Sequence, residues 1–128
     1  MSWIHSIKWD KDGLVPVIAQ DFRTHKILMF AWMNQEALEL TQKNKKAFYW
    51  SRSRKKIWKK GEESGYLQHI HEIRLDCDGD VILLKIEQID NITCHTGRET
   101  CFYRKLDDKD MWVTDYPVVK EPKDIYKK

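Results

Sequence analysis

The sequence is short of cysteine, of long apolar runs and of excess charge, and each shortage excludes a class of protein. Three cysteines among 128 residues cannot all pair within one chain, so a disulfide scaffold is not expected; free or metal-bound thiols in an intracellular protein are. Their spacing, C-x16-C-x6-C, contains none of the C-x2-C knuckles of structural zinc ribbons and fingers. No apolar run approaches the ~18–20 residues that span a bilayer. The opening Met1-Ser2-Trp3-Ile4-His5 lacks the charged and apolar regions of a signal peptide, and the expectation is a soluble, cytoplasmic protein. With 23 basic and 20 acidic residues the net charge is only +3, which weakly favours an anionic ligand and falls well short of a nucleic-acid-binding signature. Neither an internal repeat nor a second domain is visible.

What is present is a chain that is 41% hydrophobic and carries six tryptophans, enough apolar side chain for one packed core. Leu14 to Gln20 and Ile27 to Trp32 are apolar runs across a short polar connection, which predicts a hairpin. Asn34 reads as the N-cap of a helix over Gln35 to Lys43, with Asn44 as its stop and Ala37, Leu38 and Thr41 as its buried stripe. Ala47 to Ser51 reads as a strand, with Ile57-Trp58-Lys59 returning antiparallel after a basic turn. Further on, Ile73, Leu75 and Cys77 alternate with Glu72, Arg74 and Asp76, Asp78-Gly79 signals a two-residue hairpin, and Val81 to Ile86 returns mid-sheet. A short strand over Phe102-Tyr103-Arg104 follows. The fold class expected is α+β, a mostly antiparallel sheet with one main helix. Residues 1–106 form the single domain and 107–128 a charged, loosely held C-terminal tail.

The chemistry concentrates between Asp76 and Cys101, which hold all three cysteines. Cys77, Cys94 and Cys101 supply three soft donors, the number that leaves a catalytic zinc one open position for water that ionises near neutral pH. Three buried thiols acting as small hydrophobes satisfy the same spacing. His95 is a candidate proton carrier, a fourth ligand, or a plain loop histidine. His69 and His71, two apart on a strand, are weaker metal candidates. Asp76, Asp78 and Asp80 crowd like charge around a turn, a penalty that magnesium would remove, although acidic Asp-Gly turns are common without any ion. The EF-hand pattern does not fit. Residues 45–60 interleave lysines and arginines with Phe48, Tyr49, Trp50 and Trp58, a face suited to single-stranded nucleic acid, to the phosphates of one nucleotide, or simply to solvent.

Taken in order, these blocks resemble the phosphoribosyl-AMP cyclohydrolase family of histidine biosynthesis. The resemblance rests on Val15 to Asp21, Met29 to Asn34, Glu36-Ala37-Leu38, Trp50 to Arg54, Trp58 to Gly65, Asp76 to Asp80, Cys94 to Arg98 and Cys101 to Arg104. It implies an intertwined homodimer with one zinc and one magnesium per subunit. By that likeness Asp76, Asp78 and Asp80 are magnesium ligands. Cys77 is a zinc ligand from one subunit, Cys94 and Cys101 are zinc ligands from the other, and His95 is catalytic. The reaction implied is hydrolysis of the N1–C6 bond of the adenine ring of phosphoribosyl-AMP, with zinc-activated water as nucleophile. The chain looks like the monofunctional form. Arg52, Arg54, Lys60, Ser64, Arg98 and Arg104 are the candidates for gripping the substrate's phosphates, because a planar guanidinium pairs bidentately with phosphate oxygens. A zinc-containing nucleic-acid-binding module and a structural zinc module that joins two chains are the competing readings.

Overall fold

Residues 3–125 are described by a computed structural model. Val15–Asp21 forms β1, whose odd positions Val15, Val17 and Ala19 are buried while Pro16 sits near the start, where its missing N–H is tolerated. The Asp21 carboxylate accepts the N–H groups of Arg23 and Thr24 and so turns the chain into β2, Ile27–Met33, antiparallel to β1. Asn34 then caps α1, Gln35–Asn44, its side-chain oxygen taking the Ala37 N–H at 2.9 Å. Ala37, Leu38 and Thr41 are buried as the spacing predicts. The stop comes at Lys45, in left-handed conformation with its N–H on the Thr41 carbonyl; Asn44 is still helical.

Phe48–Ser51 (β3) pairs antiparallel with Lys56–Lys59 (β4), and Gln68–Leu75 (β5) with Ile82–Gln88 (β6). All six strands form one sheet in the order β4-β3-β2-β1-β6-β5, with β1–β6 as the parallel pair. The Ala47 N–H bonds the Gln68 carbonyl and the Ile70 N–H the Lys45 carbonyl, which draws the β5 edge to the chain entering β3 and curls the sheet over its core. That core contains Val17, Leu28, Met33, Leu38, Tyr49, Ile82, Leu84 and Ile86; each such aliphatic contributes about 1.5–3 kcal/mol of burial. The architecture is α+β, mostly antiparallel, with one main helix.

Several expectations need correction. The connection from β5 to β6 runs from Asp76 to Val81 and is not a two-residue turn, because the Asp76 side chain accepts the N–H groups of Asp80 and Val81 and holds a wider loop open. A register shift between Ile70 and Glu72 breaks the alternation that would have put His69 and His71 on one face. His71 instead stacks on Phe22, with ring centroids 3.7 Å apart.

The segment after Leu106 is not loosely held. The short strand before it is Arg104–Leu106 (β7), two residues later than predicted, and it pairs with Trp112–Thr114 (β8). Beyond β8 the N–H groups of Val119 and Lys120 bond the Gly97 carbonyl, and Ile125, ending the one-turn helix Pro122–Ile125 (α2), is buried against Tyr66 and Ile92. Among the described residues no helix is long and apolar enough to cross a membrane.

Candidate metal centre and active site

Two donor sets emerge from the β5–β6 loop and from the loop after β6. Around the first, Asp76, Asp78 and Asp80 are exposed, and ligand atoms from all three lie within 4.8 Å of one another. For Asp76, desolvation pushes the carboxyl up, but hydrogen bonds from the backbone of Asp80, Val81 and Gly79 outweigh it and hold the group below the usual range. Asp80 is pushed the other way by desolvation and by the charge of Asp76. The two carboxyls are thus shifted in opposite directions, as expected of hard oxygen donors gathered without a counter-charge. Such a set suits a small divalent cation such as magnesium.

The second set lies on the loop that follows β6. The Thr93 side chain donates to Gln88, and the N–H groups of Thr93 and Cys94 both bond the Arg98 carbonyl, closing a tight loop around His95-Thr96-Gly97. At the other end Thr100 donates its hydroxyl to the Ile27 carbonyl, and the Cys101 N–H bonds the Leu28 carbonyl at 2.7 Å. Both cysteines are therefore anchored to rigid strands, and their side chains meet. The Cys101 thiol hydrogen-bonds the Cys94 sulfur; this bond, aided by Thr96 and His95 and opposed by burial, lowers the Cys94 pKa to about 5. The same bond, together with burial, raises Cys101. The Thr96 hydroxyl is buried without a well-formed hydrogen bond, yet it lies near enough to the Cys94 sulfur to help lower its pKa.

Two adjoining sulfurs, one of them favoured as the thiolate, with an unpaired buried hydroxyl beside them, suit zinc. Cys77 stands apart, exposed on the aspartate loop. Among the described residues no third Cys, His, Asp or Glu joins Cys94 and Cys101 within 4.8 Å, His95 included.

A cleft of about 350 Å³ is lined by residues of β3, β4 and the loops that follow them, with Ser51, Arg54, Trp58, Lys60 and Ser64 on its walls. It gathers three of the six phosphate candidates. Arg52 does not line it and instead lies over the Trp32 ring at 4.6 Å. Arg98 and Arg104 both stand over Tyr103, and the Arg98 Nε donates to the Tyr116 carbonyl at 2.8 Å. Lys60 turns inward, its ammonium donating to the Thr93 carbonyl; desolvation lowers its pKa, against the pull of Cys101 and Cys94.

Sequence reasoning overlooked the polar chain beneath the loop. Tyr49, fully buried, donates to Gln68 at 2.6 Å; Gln68 donates to Gln88, and Gln88 accepts from Thr93. No local signal marks these residues, since their partners lie on different strands.

Comparison with known proteins accords with this geometry. The sequence model of phosphoribosyl-AMP cyclohydrolase matches residues 29–103. The chain is 61% identical over 125 residues to the phosphoribosyl-AMP cyclohydrolase of Pseudomonas fluorescens strain Pf0-1, a match covering 98% of this chain and 93% of that one. It is 58% identical to the protein of that name from Methylobacillus flagellatus, covering 98% and 95%. To that of Burkholderia cenocepacia it is 56% identical, covering 98% and 94%.

Proposed function

The chain belongs to the phosphoribosyl-AMP cyclohydrolase family, and from that premise we propose that it opens the adenine ring of phosphoribosyl-AMP by hydrolysing the N1–C6 bond, the third step of L-histidine biosynthesis. The observation that carries the reading is the pairing of Cys94 with Cys101 on one anchored loop, with His95 between them in sequence. Zinc held there supplies the capacity to make water nucleophilic at neutral pH. The substrate is suited to such attack, since a ribosyl group on N1 makes the purine cationic and C6 electrophilic.

The chain's own residues do the rest. Cys94 and Cys101 hold zinc from one chain, and Cys77 completes the set from a second copy. Two observations support a two-chain site: Cys77 does not reach the other two sulfurs, and the β7–β8 hairpin exposes Met111 and Trp112 at 61% and 68% of their surface. An isolated two-stranded hairpin is marginal in water and gains from being covered. Asp76, Asp78 and Asp80 hold magnesium. His95 delivers the proton that N1 requires as it leaves C6, a role that imidazole chemistry suits. Arg54 and Ser64 grip a phosphate in the cleft, and Arg52, Arg98 and Arg104 are the remaining guanidinium partners.

The test is turnover: purified protein supplied with zinc and magnesium should convert phosphoribosyl-AMP to its formimino-carboxamide product. Metallated protein that leaves the nucleotide intact would overturn the assignment.

A further inference from the structure

The cleft and the thiol pair share one residue, Lys60. Its position is fixed from the backbone outward. Its N–H bonds the Ala47 carbonyl at 3.0 Å, and the next residue, Gly61, adopts a φ of +86°. A Cβ at Gly61 would stand 2.5 Å from the Tyr66 carbonyl carbon, so only glycine lets this turn press so closely on the segment that leads into β5. Held that way, the Lys60 side chain runs inward, and its ammonium reaches the carbonyl of Thr93, the residue before Cys94. From there its charge acts on both Cys94 and Cys101.

Zinc with three thiolate ligands carries a net negative charge of about one, so a single buried cation alongside renders the assembly neutral. Outer hydrogen bonds and charges orient metal ligands and set their affinity. Thr96 supplies the complementary element, a buried hydroxyl with no well-formed partner beside the Cys94 sulfur.

We propose that Lys60 and Thr96 are positioning residues for the zinc thiolates: Lys60 neutralises the sulfur cluster and clamps the Thr93 carbonyl, and Thr96 donates its hydroxyl to the Cys94 sulfur. The role rests on the zinc reading given above. An ammonium used in this way is withdrawn from phosphate binding, so of the phosphate candidates that line the cleft Arg54 and Ser64 remain for the substrate.

The experiment compares zinc affinity in the full chain, by chelator competition, for the parent and for Lys60→Met, Lys60→Arg, Thr96→Val and Thr96→Ser. The thiolate-to-metal charge-transfer band of the cobalt-substituted proteins is recorded alongside. Lys60→Met is expected to weaken zinc roughly 10–100-fold and to shift the band, while Lys60→Arg restores most of the affinity. Thr96→Val should weaken zinc by a smaller factor that Thr96→Ser does not reproduce. Parent-like zinc binding and an unmoved band in Lys60→Met, with only KM for phosphoribosyl-AMP raised, would overturn the proposal and return Lys60 to the phosphates. Should Lys60→Met not fold, the two threonine variants decide: equal affinity in Thr96→Val and the parent counts against the proposal. These readouts do not depend on turnover. Protein that binds zinc as expected but leaves the nucleotide intact would overturn the reaction and leave the positioning role standing.

Discussion

His95 follows a buried cysteine directly in sequence yet does not complete a three-donor group with Cys94 and Cys101, so its removal should spare the metal. His95→Ala is expected to lose roughly 10²–10⁴ in kcat while zinc content, by elemental analysis, matches the parent. A parent-like rate would end its role as proton carrier. Tyr49 offers a test of the hidden polar chain. Tyr49→Phe leaves the Gln68 carbonyl oxygen buried without its donor and should cost about 1–3 kcal/mol in urea denaturation. No loss would mean that water or a shifted glutamine takes the hydroxyl's place. At this scale the candidate site residues could be picked out because cysteine, aspartate and histidine announce their chemistry. Gln68 and Gln88 were not, because glutamine is ordinarily a surface residue and its burial here depends on partners about 20 residues away in the chain.

Elements read well where their signals were local. The cap at Asn34 and the stripe of Ala37, Leu38 and Thr41 lie within a few residues of one another, and α1 formed where they placed it, one residue longer at its end. The segment after Leu106 misled for the opposite reason. Its charged side chains suggested a solvated tail, whereas it is held by one buried side chain, Ile125, and by backbone groups, Val119 and Lys120 to the Gly97 carbonyl, which no pattern of side chains encodes. Gly97 is the point where this attachment can be broken. A Cβ there would stand 1.8 Å from the Lys120 oxygen, and its φ of +84° disfavours any other residue. Gly97→Ala should therefore detach residues 115–125 and loosen the cysteine loop, seen as faster proteolytic cleavage after β8 and weaker zinc retention. Unchanged cleavage and zinc content would show that the segment is not what holds the loop.

At the scale of the whole molecule, the adjacency of β1 and β6 was beyond local reading. Hairpin signals specify neighbours in sequence, but β6 reaches β1 only after the chain has built five other elements, and the resulting pair is parallel. That order sets the aspartate loop and the cysteine loop at opposite ends of β6, with Cys77 on the first and Cys94 on the second. One β-strand thus separates sulfurs that a single zinc would have to bring within bonding distance. The proposed site accordingly takes its third thiolate from another copy of the chain.

Mixing two inactive variants tests this directly. Cys77→Ser and Cys94→Ser, each alone, should neither retain zinc in the site nor turn over phosphoribosyl-AMP. Unfolded and refolded together, they should form heterodimers in which one of two sites is intact, restoring about a quarter of parent activity, with zinc in proportion. Two inactive proteins that stay inactive after mixing, despite forming heterodimers, would contradict the shared site and the mechanism built upon it.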